Sequence, residues 1–430
     1  MFRCGCPVIV EGQQNWGSGS PNECSPDACK RGCDFAFENQ INEMYNGEDV
    51  SYDLRIGLDS TELLTAMESL SGHINGTALM DAAQIDAARE SIVNNGPLLP
   101  TELNLITSAL DLIDEFETSP YGPLFINSRS SSGFLRDEPA SSDDKQLERA
   151  MLSTQQTVLD EIFAGTRANF LTETRLYDPI ISECSSVLEG RSWQTAKYFP
   201  GEIQGSADPV AVHTVSINTT YPACWGRPVL FCKEPAIKPT GLWLQAGMIA
   251  TITVPPEIVA AGGYKIQIGS HTSDNIIKDV HLRNDRITSL YDIKSEVVTV
   301  ASPFGGGIYM RIPYLSDLDV RTISVTGGVV KAPYFQHNTM HMTTEPEWLD
   351  LRTSPGPWVD IVTDNFLLNV PRSGVFGYEH SHMFDLATNY TMSMDGVTEF
   401  MVSSVSLGIL ICICPWRDSN SLHFNCISLL

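Results

Sequence analysis

The side chains with most chemical potential in this sequence are its nine histidines, and two groups of them have suggestive spacing. His337 and His341 are four residues apart, so on a helix both imidazoles would lie one turn apart on one face, the arrangement that binds zinc in hydrolases. Such a site also needs a Glu after the first His to take a proton from metal-bound water. Asn338 stands there, and an amide has no basic oxygen for that task. Pro333, Thr343, Thr344 and Pro346 oppose a helix over 337–341, so this pair is expected in a loop with a structural role. The second group, Glu379-His-Ser-His382, comes no closer to a zinc signature. Ser, His and Asp all occur, but no Gly-x-Ser-x-Gly elbow presents a nucleophile. No catalytic and no metal-ligating residue is therefore assigned, and no cofactor is expected for this chain. Trp243, Trp348 and Trp358 remain as candidate sugar-contact residues, because an indole face can stack on the C–H side of a pyranose.

These residues must be carried by two differently built halves. In the first, Asp59 and Glu62 have capping-box spacing ahead of Leu63, Leu64 and Met67, with Gly72 as a stop. Ala-rich 77–95 ends at Gly96, while Leu103, Ile106, Leu110, Ile113 and Phe116 recur at helical steps before Pro120. A fourth helix over about 143–163 places Leu147, Met151, Val158, Leu159 and Ile162 on one side. Beyond residue 208 the period becomes two: strands are predicted around 210–217, 248–254, 264–268, 297–300, 308–312 and 320–325, punctuated by Pro and Gly. Gly305-Gly306-Gly307 and Gly327-Gly328 lie between strands with no P-loop Lys, so they read as turns rather than phosphate cradles.

The chain has 430 residues, with 42% hydrophobic and 18% charged, which is ordinary for a globular protein. The formal charge of −25 repels a phosphate backbone, and no basic stripe offsets it, so no nucleic-acid partner is expected. Between Asp34 and Gly190 the net charge is −20, which sets the acidic half apart. Eleven cysteines cluster at the start (4, 6, 24, 29, 33), the middle (184, 224, 232) and the end (412, 414, 426), an odd number that leaves at least one unpaired. Asn75, Asn218 and Asn389 are possible N-glycosylation acceptors, and with the cysteines they favour an extracellular location, although residues 1–12 form no recognisable signal peptide. The uncharged run 400–416 is diluted by Ser, Gly and Pro and no basic cluster flanks it, so membrane contact is not expected.

The β half also carries ordered words: Thr240-Gly-Leu-Trp-Leu-Gln-Ala-Gly247, Ile266-Gln-Ile-Gly-Ser-His-Thr272, Ala301-Ser-Pro-Phe-Gly-Gly-Gly-Ile-Tyr309, Lys331-Ala-Pro-Tyr-Phe335, Pro357-Trp358 and Asn369-Val-Pro371. This string, over roughly 205–400, resembles the enhancin-like, mucin-directed zinc metallopeptidases of peptidase family M sixty. The resemblance implies a β-sandwich leading into a gluzincin-type catalytic domain, with zinc in a full-length form and extracellular action on glycoproteins. It runs through Met394-Asp-Gly-Val-Thr-Glu-Phe-Met401 and stops, so a truncated transcript is expected, with the zinc helix encoded further on.

The expected fold is multidomain α+β. It comprises a Cys-rich segment (1–35), an acidic α-helical region (36–195), an antiparallel β-sandwich (205–330), an incomplete metallopeptidase-like α/β segment (331–401) and an unrelated tail (402–430). The expected function is that of a family member acting on or binding extracellular glycoproteins such as mucins, catalytically incompetent in this form. The alternative is a secreted module that binds glycan or glycoprotein without chemistry.

Overall fold

The structure is a computed structural model. It describes residues 8–10, 13–15, 58–124, 142–163, 188–221 (save 204 and 206), 235–272, 283–364 (save 285) and 366–406. The chain divides into two compact units, Met1–Gly57 and Leu58–Leu430. In the first, β1 (Val8–Val10) and β2 (Gln13–Asn15) pair antiparallel. All eleven cysteines fall outside the described residues.

The second unit opens with four helices: α1 (Ser60–Ile74), α2 (Ala82–Asn95), α3 (Leu103–Thr118) and α4 (Ser142–Glu161). Their starts follow from capping chemistry. The Asp59 carboxylate accepts from the backbone N–H groups of Thr61 and Glu62. The reciprocal bond expected from Glu62 is replaced, because Asn95 Oδ1 at the end of α2 takes the Asp59 N–H at 2.8 Å. A complete capping box forms instead at Asp81 and Gln84. Helix α1 runs through Gly72, where a side chain would crowd Ala78, and stops at Asn75-Gly76, with Gly76 at φ +77°.

Helix α4 departs most from its sequence pattern. It reads as amphipathic, yet every residue from 150 to 163 is buried, including Ser153, Thr154, Gln155, Gln156, Thr157, Asp160 and Glu161. Buried polar groups need partners, and this face finds them partly in the other half of the chain and partly on α3 and within α4 itself. Arg286 grips Asp160 through both guanidinium nitrogens, and Gln156 Nε2 donates to the Arg286 carbonyl at 2.8 Å. Gln155 Nε2 donates to Glu117 Oε1 at 2.8 Å. The buried Glu117 carboxylate also accepts from the N–H and hydroxyl of Thr195. Burial pushes its pKa up against those hydrogen bonds.

The β half is two antiparallel sheets. One has the order β3 (Val212–Thr220), β10 (Asp317–Gly327), β5 (Ile249–Thr253), β8 (Val297–Ala301). The other runs β11 (Val329–Lys331), β4 (Ala236–Leu244), β9 (Gly306–Ile312), β6 (Lys265–Ile268), β7 (Ser289–Asp292). A short helix, α5 (Pro256–Ala261), links β5 to β6. Ile252, Val300, Ile323 and Val325 from one sheet and Leu244, Ile266, Ile308 and Met310 from the other share a core with α1–α4. Strand β4 escapes the period-two reading because it contains Pro239 and Gly241 and bulges between Pro239 and Trp243. Pro239 stands opposite Tyr309 of β9, next to the bulge, while β11 pairs only with 242–244. Gly305 makes the expected turn at φ +65°, but Gly306 and Gly307 belong to β9, where a side chain on Gly306 would strike the Gly269 backbone at 2.7 Å.

A third layer follows. Strand β12 (Tyr334–His337) runs parallel to β13 (Trp358–Thr363), and β14 (Leu367–Pro371) runs antiparallel to β13. Helices α6 (Glu345–Leu351), α7 (Arg372–Val375) and α8 (His380–Ser406) accompany this sheet. Phe335, Trp348, Val359, Ile361, Leu368 and Met383 form its separate core. Helix α8 continues past the 401/402 border where the family-like text ends. Among the described residues no helix is long and apolar enough to cross a membrane, and 407–416 of the uncharged run lie outside them.

Glu117→Ala would leave the Thr195 and Gln155 donors unpaired between bundle and sandwich, so a loss of about 2–4 kcal/mol is expected. Urea unfolding of the full chain checks this, and a change under about 0.5 kcal/mol would show that Glu117 is not what joins the halves.

Candidate functional site

Strand β13 positions the most unusual group in the β half. Its six residues are all buried, with Val359 and Ile361 facing the third-layer core. The alternate residues Trp358, Asp360 and Val362 are therefore turned toward the sandwich. Asp360 is thus a carboxylate in an otherwise apolar strand, 5% exposed. Tyr309 of β9 donates to Asp360 Oδ1 at 3.1 Å, and Asn369 of β14 donates to the same oxygen at 2.8 Å. Desolvation raises the Asp360 pKa from 3.8 to about 6, against the lowering effect of these two donors. The Tyr309 hydroxyl, equally buried and beside the carboxylate, is held well above its ordinary value.

The network continues into the turn after β6. Ser270 Oγ donates to Asn369 Oδ1 at 2.8 Å and lies 3.1 Å from His271 Nδ1. Because the Ser270 proton is already given to Asn369, His271 Nδ1 must be the donor in that contact. The His271 ring sits between Phe199 and Trp358, with centroids at 4.8 Å to each. Arg283 lies over Phe199 at 4.5 Å. Burial and the Arg283 charge push the His271 pKa down to about 3, so the imidazole is neutral at ordinary pH.

A serine, a histidine and an aspartate thus come within one network, but not as a catalytic relay. The carboxylate contacts Tyr309 and Asn369 rather than the imidazole, and Ser270, His271 and Asp360 are each 5% exposed. The arrangement joins layers and orients groups; it presents no nucleophile to a substrate.

Four further histidines, His337, His341, His380 and His382, belong to the third layer. His337 ends β12 in a turn closed by a bridge from His337 to Met342, the loop that Asn338 and the neighbouring prolines imply. Its ring meets Phe384 edge-on at 4.5 Å, and Nε2 lies 3.3 Å from Thr388 Oγ1. His341 faces Glu347 at 3.3 Å, but that carboxylate is engaged in a capping box with Thr344, which lowers its pKa. His380 Nε2 lies 2.6 Å from the Thr343 carbonyl, which can only accept, so that nitrogen carries the proton. Among the described residues no three His, Cys, Asp or Glu side chains come together to hold a metal ion.

The tryptophans require a correction. Trp243, Trp348 and Trp358 are 3%, 0% and 9% exposed, so their faces pack in cores and offer no platform to a sugar ring. Trp348 Nε1 donates to the Tyr378 carbonyl at 3.0 Å and Trp358 Nε1 to the Pro200 carbonyl at 2.6 Å. An uncharged, accessible surface lies elsewhere, on the outward side of the four-stranded sheet. There the paired rows Val212-Thr326-Thr251-Thr299 and Thr214-Ser324-Thr253-Val297 continue into Ser216-Thr322 and Asn218-Val320. Alternating hydroxyl residues were visible in the sequence, but only strand order brings them into one face.

Residues 213–326 match the family model described as the N-terminal domain of M60-like peptidases. The match is to this segment and not to the whole chain. It spans both sheets from β3 to β10 and ends before the third layer. Among curated proteins, the chain is 32% identical over 133 residues to TRPM8 channel-associated factor 3 of Rattus norvegicus, covering 31% of this chain and 14% of that protein. It is 30% identical over 166 residues to TRPM8 channel-associated factor 1 of Homo sapiens, covering 38% and 16%. The chain thus spans less than a fifth of the length of these relatives. Among solved structures, IMPa of Pseudomonas aeruginosa in complex with an O-glycopeptide superposes at a TM-score of 0.32 and 13% identity, over 71% of this chain and 32% of that one. ZmpB metallopeptidase of Clostridium perfringens gives a TM-score of 0.31 and 12% identity over 43% and 41%.

The three N-glycosylation triplets differ in presentation. Asn75 is exposed at the end of α1, and its side-chain oxygen accepts from both the N–H and hydroxyl of Thr77. Asn218 is half-buried within β3, and Asn389 sits inside α8. When the chain is sent through a eukaryotic secretory route by an appended leader, glycan addition is expected at Asn75 and not at the other two. An N-glycosidase mobility shift that disappears in Thr77→Ala checks this, and a shift that persists in that variant contradicts it.

Proposed function

We propose that the chain is a glycoprotein-facing interaction module built around its M60-like domain, and that it binds rather than hydrolyses its partner. The observation that carries this reading is the family match over 213–326, which covers the sandwich and none of the third layer. The 430 residues include no His-Glu-x-x-His, the signature needed for a zinc-bound water and its general base. The uncharged hydroxyl face of the M60-like domain is the surface we assign to contact, since hydroxyl groups both donate to and accept from sugar hydroxyls. An extracellular setting fits this reading.

A second reading comes from the relatives, which are named as channel-associated factors. On that reading the partner is a membrane channel, reached through the same domain, and glycan plays no part.

Immobilised mucin-type O-glycopeptides and a detergent-solubilised TRPM8 channel separate the two. The first reading expects binding to the glycopeptide that survives EDTA and falls at least about tenfold in Thr322→Glu and Ser216→Glu, each a surface change within about 0.5 kcal/mol of neutral for stability. Binding to the channel alone selects the second reading, and chelator-sensitive cleavage of the glycopeptide by this chain overturns both.

A further inference from the structure

The third layer and the sandwich have separate cores, joined by a small apolar seam of Ile237, Tyr309, Val362 and Leu367 and by Trp358 of β13, which packs into the sandwich-side core. Set into this seam is the polar network of Asp360, Asn369, Tyr309 and Ser270. It links β13 and β14 on one side to β9 and the turn after β6 on the other. Both side chains that donate to Asp360, a phenol and an amide, are neutral. An ionised carboxylate here is therefore a buried charge solvated by two dipoles, whereas a protonated one is a neutral group among neutral groups.

We propose that this network is a proton-operated latch, which holds the third layer on the sandwich when Asp360 is protonated and loosens it when Asp360 ionises. The other titratable groups around the seam stay in one state across the working range. Tyr309 of β9 is buried and Tyr334 of β12 partly buried, and desolvation raises both pKa values, so both remain neutral. His271, behind Ser270, is neutral above about pH 3, and Arg283 beside it remains charged throughout. Within this hydrogen-bonded network Asp360 alone changes charge between pH 4 and 7, while Lys238 of β4, whose pKa burial lowers, interacts with Asp364 just beyond β13.

The direction follows from linkage. The closed-state pKa of about 6 exceeds the ordinary value of 3.8, so the closed form binds the proton more tightly. Its extra stability is complete below about pH 4, declines as pH rises toward 6, and is absent above that. A difference of that size corresponds to about a hundredfold change in the closed-to-open ratio.

Amide hydrogen exchange on the full chain from pH 4 to pH 8, corrected for the intrinsic pH dependence of exchange, tests the latch. Protection across 358–371 is expected to fall about a hundredfold from pH 4 to pH 7, while β5 and β8, inside the sandwich, show no comparable fall. Asp360→Asn, neutral at every pH, is expected to abolish the local decline. Tyr309→Phe removes one donor from the carboxylate and should move its midpoint upward, which keeps the test decisive if Asp360→Asn fails to fold. Flat wild-type protection, an unchanged decline in Asp360→Asn, a Tyr309→Phe midpoint that does not move, or a fall shared equally by β5 and β8 would each overturn the proposal.

Discussion

The buried carboxylate of Glu117 is the constraint from which the relation between helices and sheets follows. A carboxyl group 3% exposed cannot be left without donors, and its donors come from two other parts of the chain, Gln155 of α4 and Thr195 of the linking segment. Satisfying it fixes α3, α4 and residues 193–196 together. With that segment placed, Trp193 meets Phe304 edge-on at 4.9 Å and its backbone N–H donates to the Pro303 carbonyl at 3.2 Å. Arg191, four residues before Thr195, reaches Asp111 and Asp114 on α3. The helices are thereby tied to the turn between β8 and β9, and Arg286 gripping Asp160 adds a second tie before β7. The acidic half is thus not a separate domain hung on a sandwich; it shares the sandwich's core.

The third layer obeys a different rule. Its own core is closed by Trp348 against Phe335, and it meets the sandwich through Trp358, Val362 and Leu367 together with the hydrogen bonds of Asp360 and Asn369. Hydrogen bonds between neutral groups specify register strongly but contribute only about 1 kcal/mol each to stability. A layer held by such bonds can keep a unique position and still open more readily than the core beside it. This contrast separates the sandwich from the segment that follows it.

Periodicity made the helices and most sandwich strands legible, because burial on one face leaves a regular trace. Strand β4 was hidden by Pro239 and Gly241, and β12 to β14 by their shortness and by a buried central strand without alternation. Helix α4 was legible in position but not in environment: Gln155, Gln156 and Asp160 look like a solvent face until Arg286 and Asn284, more than a hundred residues away, cover them. The same long range hid the seam network. Its only local signal was Asp360 alone within Trp-Val-Asp-Ile-Val-Thr, a charge where an apolar strand has no place for one. Tryptophan misled for the converse reason, since its value to a core is as great as its value to a ligand and residue type alone does not separate the two.

The surface chemistry then limits what a partner can be. A chain with a formal charge of −25 repels anionic ligands at distances up to the Debye length of about 8 Å in physiological salt. A contact surface on such a molecule must either recruit a cationic partner or be locally free of charge. The paired rows from Val212 to Asn218 on the four-stranded sheet meet the second condition, because each of their outward residues is Val, Thr, Ser or Asn, with Asp317 entering only beside Thr220 at the end of β3. Carboxylates on that face would carry the penalty of desolvation on binding, whereas hydroxyl groups exchange water for a partner's hydroxyl or amide at little cost. The alternation that builds the sandwich core on one side of those strands therefore also sets aside, on the other, the part of the molecule best suited to an uncharged polar partner.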